Sequence, residues 1–283
     1  MLSKQLKADL WLALVALIWG STFVVVKSQL NQIGPLAFVT IRFAFAFLLM
    51  AILARRSLRR TDRQQLAAGC VIGLFLFGGY ALQTVGLQYT SASKGGFITG
   101  TSVVLAPLFA RLLLGQSPPS TAIVGAGLAT PGLALLSLTD SLTLASGDLL
   151  VLGCAACFAL HIVAISMYAP KMDALALTSV QIGVVAIGGA LAMGLLEPLS
   201  GFPSVKTVGV AALMGVVATA LTLTIQNKAQ AFTTPTHTAL MFSLEPVFAA
   251  VFGRLLAGEQ LSGQQILGCA LILGGMLVAE VRR

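Results

Sequence analysis

Apolar stretches of helix length, separated by short polar segments, run along almost the whole chain. A helix needs about 20 apolar residues to cross the hydrocarbon core of a bilayer. The even spacing disfavours a β-barrel, whose strands alternate over about ten residues. The pattern therefore predicts an all-α polytopic membrane protein with ten transmembrane helices. The predicted spans are residues 9–27, 36–54, 66–88, 94–114, 121–138, 148–168, 175–196, 208–226, 236–256 and 265–279.

The second half of the chain repeats the landmarks of the first half at an offset of 139 residues. The matching pairs are Asp9 and Asp148, Arg42 and Gln181, Gln83 and Thr222, and Pro107 and Pro246. We therefore predict a first repeat over 1–138, an outer link over 139–147 and a second repeat over 148–283. Because five spans is an odd number, the second repeat must enter the membrane from the opposite face. Two inverted five-helix repeats around a central cavity are the architecture of many secondary transporters.

Composition excludes a soluble protein, because 57% of the residues are apolar and only 9% are charged. Soluble proteins carry about 25% charged residues. The net charge of +8 follows the positive-inside rule when the amino terminus is placed in the cytoplasm. The inner segments then hold Lys4, Lys7, Arg55, Arg56, Arg59, Arg60, Arg63, Arg111, Lys171, Lys228, Arg282 and Arg283. The outer segments hold Lys27, Lys94, Lys206 and Arg254, while Arg42 lies inside the second span.

This charge distribution predicts a multi-pass protein of the cell (inner) membrane with both termini in the cytoplasm. The first apolar stretch is too long for a signal peptide, and no small-residue cleavage site closes it. No soluble module is present that would bind nucleic acid. The predicted partners are the lipid bilayer and a small-molecule metabolite, with no nucleic acid. The sequence does not decide between a monomer and a homodimer.

A series of short motifs follows the order of the predicted spans. They are ALIWGSTF at 16–23, Pro35 with Arg42-Phe43, GLQYTSA at 86–92, PLF at 107–109, LEPVF at 244–248 and LLAGE at 255–259. This ordered set resembles the EamA type of the drug/metabolite transporter superfamily, over nearly the whole chain and in both halves. The resemblance implies ten helices in two EamA repeats, and transport or export of small metabolites such as amino acids.

Glu245 lies near the middle of the predicted span 236–256, and therefore close to the bilayer midplane. A charge at that depth costs at least about 2.5 kcal/mol, so it requires a partner, a proton or a water-filled cavity. We interpret Glu245 as a candidate for proton coupling or for contact with a substrate amine. The alternative is a structural carboxylate that stabilises a kink at Pro246.

Further aromatic and polar side chains fall at mid-depth in the predicted spans. The family resemblance implies a central cavity lined by spans one, three, four, six, eight and nine. The matching residues are Trp19, Tyr80, Gln83, Ser102, His161, Thr222 and Glu245. Aromatic walls with a few polar groups suit an amphiphilic solute. The alternative for each residue is interhelical packing with hydrogen bonds.

Pro107 and Pro246 each remove a helix hydrogen bond within a predicted span. Each is a candidate hinge for alternating access, or a static kink. For Arg42 we favour a structural hydrogen-bonding role, because Gln181 occupies the equivalent place. Contact of Arg42 with an anionic substrate or with Glu245 is the alternative.

Cys154, Cys157 and His161 share one face of the predicted span 148–168. Three ligands on one straight helix cannot readily close around an ion, so we interpret them as packing residues and predict no metal and no cofactor. The chain has no phosphate-binding glycine loop, which argues against ATP hydrolysis. His237, at the start of the ninth span, is expected at the membrane interface.

The leading hypothesis is a secondary transporter that exports small amphiphilic metabolites by alternating access, with proton coupling as an option. A sugar-phosphate or nucleotide-sugar antiporter would need several deep basic residues for phosphate, and only Arg42 lies deep. A membrane-embedded enzyme would need paired catalytic groups at one depth. Glu245 and His161 would supply an acid and a base, but no nucleophile motif joins them, so no catalytic residue is predicted.

Overall fold

The computed structural model describes residues 4–90, 92–137, 146–197, 203–257 and 260–280. These residues form helices and turns and contain no strand. The helices are α1 (Lys4–Gln29), α2 (Pro35–Leu53), α3 (Arg55–Leu58), α4 (Arg63–Tyr89), α5 (Ala92–Gly100), α6 (Ser102–Leu114), α7 (Ser120–Ser137), α8 (Ser146–Tyr168), α9 (Ala174–Leu196), α10 (Val205–Gly215), α11 (Thr222–Gln230), α12 (Pro235–Phe242), α13 (Leu244–Ala257) and α14 (Gly263–Glu280). The all-helical prediction is confirmed for this part of the chain. Most of the predicted link over 139–147 lies outside the described residues.

Among the described residues, six helices are long and apolar enough to cross a membrane. They are α1, α2, α4, α8 with the 3₁₀ turn that follows it, α9, and the continuous rod from α10 through α11. Shorter apolar helices cover Ile98–Leu114, Ser120–Leu135 and Gly263–Ala279. Exposed leucine, isoleucine and valine side chains cover much of the outer surface, as expected where lipid is the solvent. The protein is therefore a polytopic membrane protein.

Two of the predicted spans are broken rather than continuous. The span 94–114 divides into α5 and α6 at Thr101, and the span 236–256 divides into α12 and α13 at Ser243. Pro246 lies in the first turn of α13, where a missing N–H removes no helix hydrogen bond. Pro107 lies inside α6, several residues after the break. The discontinuities thus lie on the amino-terminal side of both prolines.

Contacts between helix ends define two sides of the bundle, here called the Lys4 side and the Gln29 side. On the Gln29 side, Lys27 Nζ donates to Thr90 O (3.1 Å) at the end of α4. Thr90 Oγ1 in turn donates to Asp148 Oδ1 (2.6 Å) in the first turn of α8. Helix α8 therefore begins on the side where α1 and α4 end.

Glycine allows α7 and α14 to pack with their backbones in contact. A Cβ atom added to Gly275 would lie 2.5 Å from Gly125 O, and one added to Gly132 would lie 2.8 Å from Gly268 O. Lipid tails supply no hydrophobic force between helices, so close backbone approach and dispersion are the main sources of association. The α7–α14 pair therefore depends on positions that cannot hold a side chain.

We predict that Gly275→Ala destabilises the protein, whereas the neighbouring Gly274→Ala does not. The added methyl at Gly275 meets the backbone of α7, and overpacking of this kind costs about 1–3 kcal/mol. A methyl at Gly274 meets nothing within 4 Å, so the gain in helix propensity of roughly 1 kcal/mol remains. Thermal unfolding of the two variants in detergent measures the difference. Equal melting temperatures would contradict the proposed packing constraint.

Candidate functional site

A cavity of about 80 Å³ lies at mid-depth between helices of both halves of the chain. Helices α1, α2, α4, α5 and α6 contribute to its wall from the first half, and α8, α11, α12 and α13 from the second. A cavity needs roughly 10–15 Å³ of such space to hold one water molecule, so this one holds several. It is smaller than the 300–1,000 Å³ typical of ligand pockets, so a solute requires the helices to separate.

Six of the seven residues that the sequence assigned to the cavity do line it. These are Trp19, Tyr80, Gln83, Ser102, His161 and Glu245. Thr222 is fully buried behind Trp19, whose indole Nε1 donates to Thr222 Oγ1 at 3.1 Å. Pro246 also lines the cavity, whereas Pro107 lies away from it, beside an apolar groove between α6 and α7.

Gln226 is a cavity residue that the sequence analysis missed. The predicted span 208–226 ends at this residue, which places Gln226 at the membrane boundary. In the structure α11 continues to Gln230, and Gln226 is 1% exposed and lines the cavity. The three polar residues Gln226, Asn227 and Gln230 recur at helical spacing, and this pattern was the available signal for a buried polar face.

Two aromatic pairs form much of the apolar wall. The rings of Trp19 and Phe242 are 5.1 Å apart between centroids, with an interplanar angle of 54°. The rings of Tyr80 and Phe158 are 5.4 Å apart and nearly perpendicular at 81°. Edge-to-face geometry of this kind is the favoured arrangement of aromatic rings. The two pairs therefore pack the aromatic part of the wall across helices.

Arg42 and Trp19 are anchored to a π-helical segment, Val216–Leu221, between α10 and α11. Arg42 Nε donates to Thr219 Oγ1 at 2.7 Å, and Arg42 Nη2 donates to Ala218 O at 2.8 Å. Trp19 Nε1 donates to the same Ala218 carbonyl at 3.0 Å. A π-turn interrupts the regular α-helical ladder and is often found at functional sites. Here the Ala218 carbonyl accepts hydrogen bonds from two side chains of the other half of the chain.

The counterpart of Arg42 in the second half, Gln181, belongs to a different hydrogen-bonded network. His161 Nε2 and Gln181 Oε1 are 2.9 Å apart, and Gln181 Nε2 donates to Asn227 Oδ1 at 3.3 Å. Asn227 Nδ2 then donates to Thr178 Oγ1 at 2.8 Å. The network connects α8, α9 and α11 on the second-half side of the cavity.

Glu245 is the second residue of α13, immediately after the helix break at Ser243. Its side chain lines the cavity. No hydrogen bond to the Glu245 carboxylate is present among the described residues, and the nearest positive charge that acts on it is that of Arg42 in the same lining. The positive end of a helix dipole favours a negative charge in this first turn. The arrangement presents a carboxylate to the cavity, with no hydrogen bond from a described side chain.

The cavity is closed towards the Lys4 side. Asp9 Oδ1 and His237 Nε2 are 2.9 Å apart, joining the starts of α1 and α12, and His237 is only 2% exposed. His237, expected at the membrane interface, lies in the first turn of α12 and is buried against Asp9. Leu12 and Val15 lie in the hydrophobic cluster between this pair and the cavity. In the opposite direction the lining extends to Val26, near the end of α1.

Comparison with known proteins gives matches over the whole chain. The model of the EamA-like transporter family matches residues 6–138 and 145–280. An uncharacterised transporter of Archaeoglobus fulgidus is 36% identical over 285 residues, covering 99% of this chain and 87% of that relative. The uncharacterised transporter YyaM of Bacillus subtilis is 26% identical, covering 98% of this chain and 94% of that relative.

The fold also matches a solved structure. A crystal structure superposes with a TM-score of 0.81 and covers 97% of this chain and 96% of its own. The sequence identity is 20%, so this likeness concerns the fold alone.

We predict that Arg42→Lys lowers stability more than Arg111→Lys, although both changes preserve the charge. A lysine cannot reproduce the fork that joins Arg42 to Thr219 and Ala218. Hydrogen bonds from charged groups contribute about 1.5–3 kcal/mol each, whereas Arg111 is exposed and serves as the control. Melting temperatures in detergent provide the comparison, and similar losses at the two positions would contradict an anchoring role for Arg42.

Proposed function

The chain belongs to the EamA-like transporter family, and on that premise we propose that it is a secondary transporter that exports small amphiphilic metabolites by alternating access. The observation that carries the proposal is the mid-depth cavity, which bears a carboxylate and is closed towards one side. A carrier needs such a site between two halves that can move relative to each other. The relatives are transporters, which argues against an enzyme.

The proposed architecture is ten spans in two inverted repeats, over 1–138 and 148–283, joined by the link 139–147. The family model matches once in each of these segments, which supports the duplication. Packing also supports it, because contacts recur when the halves are exchanged. Helix α1 packs on α13 as α8 packs on α6, and α2 packs on α10 as α9 packs on α4. The opposite starting sides of α1 and α8 are consistent with inversion.

The proposed transport cycle separates α1 from α12 on the Lys4 side and closes the Gln29 side. In the described conformation the Asp9–His237 pair and the cluster around Leu12 bar the first route. The breaks at Thr101 and Ser243 provide the points at which α5–α6 and α12–α13 can bend. Helix breaks next to a central site are a common feature of transporters. In this proposal Pro246 fixes the hinge at Ser243. Pro107 bends α6 on the carboxyl-terminal side of the hinge at Thr101.

Proton coupling is assigned to Glu245 in this proposal. An intramembrane carboxylate that accepts no hydrogen bond from the protein can be satisfied by a proton, a substrate group or water. The substrate shares the same cavity, so the two can compete for the same oxygen atoms. The sugar-phosphate alternative is disfavoured because Arg42 is the one basic side chain in the described lining besides His161. Phosphate recognition generally uses several such donors.

We predict that Glu245→Gln abolishes gradient-driven transport while the protein remains folded. A glutamine side chain does not bind and release a proton in the physiological pH range, but its size and shape are close to those of the carboxylic acid. Uptake of a substrate into proteoliposomes with an imposed proton gradient measures coupling. Asp62→Asn is a matched control, because it removes a carboxylate outside the cavity and asparagine still caps α4. Accumulation by Glu245→Gln at the level of the unaltered protein would reject coupling through this residue.

We also propose that the protein lies in the cell (inner) membrane with both termini and the Lys4 side in the cytoplasm. The Arg55–Leu58 helix and its flanking basic residues lie between α2 and α4 and carry the positive-inside signal.

In a variant without native cysteines, Ser57→Cys is expected to be protected from a membrane-impermeant thiol reagent applied to intact cells. Asn31→Cys, in the loop after α1, is the matched probe for the outer face and is expected to react. Labelling at position 57 with protection at position 31 would reverse the proposed orientation.

A further inference from the structure

We infer that the cavity recognises a protonated amine attached to an apolar body, with Gln226 and Glu245 accepting hydrogen bonds from the ammonium group. This inference rests on the proposed function and names the substrate class for the same cavity. It depends on which polar atoms of the lining are already occupied by protein partners and which remain available.

The hydrogen-bond donors of the wall are largely directed into the protein. Trp19 Nε1 donates to Ala218 O and Thr222 Oγ1. Arg42 donates through Nε and Nη2 to the same π-helical segment. Gln83 Nε2 donates to Thr99 Oγ1 at 3.3 Å. These bonds hold the wall together and reduce the number of donors that a solute would meet.

The acceptors show the opposite pattern. Gln226 Nε2 donates to Gln230 Oε1 at 2.8 Å, which fixes the orientation of the amide. The buried Gln226 Oε1 then has no hydrogen-bond partner among the described residues. An unsatisfied buried acceptor is costly, so such an atom calls for an explanation. The Glu245 carboxylate lines the same cavity, and together the two residues favour a group with several N–H donors.

An ammonium group fits this demand better than a hydroxyl group, because it offers three donors and a positive charge. The carboxylate provides the opposite charge. The side chains of Trp19, Tyr80, Phe158 and Phe242 line the cavity and would surround the apolar body, and aromatic rings also attract cations. The cavity therefore combines a charged acceptor, a neutral acceptor and aromatic walls.

A substrate carboxylate finds less support in the cavity. A guanidinium binds a carboxylate best through two parallel N–H groups on one edge. The Nε and Nη2 edge of Arg42 is occupied by Thr219 and Ala218, and the side chain is 4% exposed. Its Cζ lies 5.1 Å from the Tyr80 ring centroid and 5.8 Å from that of Phe43. Two of the five N–H groups of Arg42 are thus held by the π-helical segment, and its positive charge lies near Tyr80 and Glu245 in the same lining.

Three probes with one apolar body test the inference: phenethylamine, 3-phenylpropionate and 2-phenylethanol. Binding to the purified full-length protein in nanodiscs is measured by calorimetry, without any proton gradient. We expect phenethylamine to bind and the two other compounds to bind at least about tenfold more weakly, as the loss of one charge-assisted hydrogen bond predicts. Tighter binding of 3-phenylpropionate, or equal binding of all three compounds, would overturn the inference.

Two matched variants test the role of Gln226. Gln226→Met keeps the volume but removes the acceptor, and we expect phenethylamine affinity to fall about tenfold or more. Gln230→Met removes the same Gln226–Gln230 hydrogen bond, together with the bonds from Gln230 to Ile162 O and Ser166 Oγ, but retains the Gln226 acceptor, and we expect a smaller loss. Equal losses in the two variants would show that the affinity depends on the Gln226–Gln230 hydrogen bond and not on the Gln226 acceptor. That result would refute the assignment of Gln226. Circular dichroism confirms that both variants are folded.

The outcome separates this inference from the proposed function. Amine binding without proton-driven transport would refute proton coupling and leave the assignment of the substrate class intact. Proton-driven transport of 3-phenylpropionate, with no binding of phenethylamine, would support the transporter and refute the amine site.

Discussion

The requirement that polar groups inside a bilayer find partners within the protein governs this structure. Hydrocarbon offers no hydrogen bonds, so each uncompensated group costs several kcal/mol. The start of α2, at the Gln29 side of the bundle, shows the related requirement at a helix end. Its free N–H groups at Leu36 and Ala37 donate to the Glu197 carboxylate at 2.6 and 3.0 Å, although Glu197 lies at the end of α9. A helix end in the first half is thus satisfied by a carboxylate from the second half.

The related helix α9 solves the same problem locally. Asp173, immediately before α9, accepts from Leu175 N and Ala176 N at 3.0 and 3.1 Å. Gln181 and Arg42 show a comparable divergence, because one joins a network within its own half and the other reaches across to the π-helical segment. Similar backbones therefore carry different polar chemistry. This difference allows one half to supply the anchored cation and the other to supply the cavity carboxylate.

The sequence was sufficient where a single physical rule decides the outcome. Hydrophobic stretches of membrane length predict helices, and six of them are long enough to cross in the structure. Trp19, Tyr80 and Glu245 line one cavity, because polar and aromatic side chains at mid-depth in apolar spans have few other places to lie. Thr222 was expected in the cavity from its equivalence to Gln83, but its hydroxyl is used by Trp19. The offset between the repeats matches positions along the chain, but it cannot show that the Thr222 hydroxyl accepts a hydrogen bond from Trp19.

The details that the sequence could not supply depend on three-dimensional contact. The break at Ser243 lies three residues before Pro246, but no local motif marks the break at Thr101, six residues before Pro107. His237 carries no sign in the sequence that Asp9, more than two hundred positions earlier, becomes its partner. Gln226 was excluded by a boundary placed one turn too early, since α11 ends at Gln230. The periodicity of apolar residues predicts helices, but it does not predict which distant residues pair or where a helix ends.

The π-helical segment also bears on how this cavity arose. A π-turn accommodates one residue more than an α-turn, so a single-codon insertion into an older regular helix would produce it. Each residue in an α-helix advances the helical face by about 100°. Deleting one position within 216–221 would therefore rotate the downstream rod and carry the Gln226 amide away from its present place. Relatives with a one-residue gap at this point in an alignment are therefore expected to present a different side chain to the cavity at the position of Gln226.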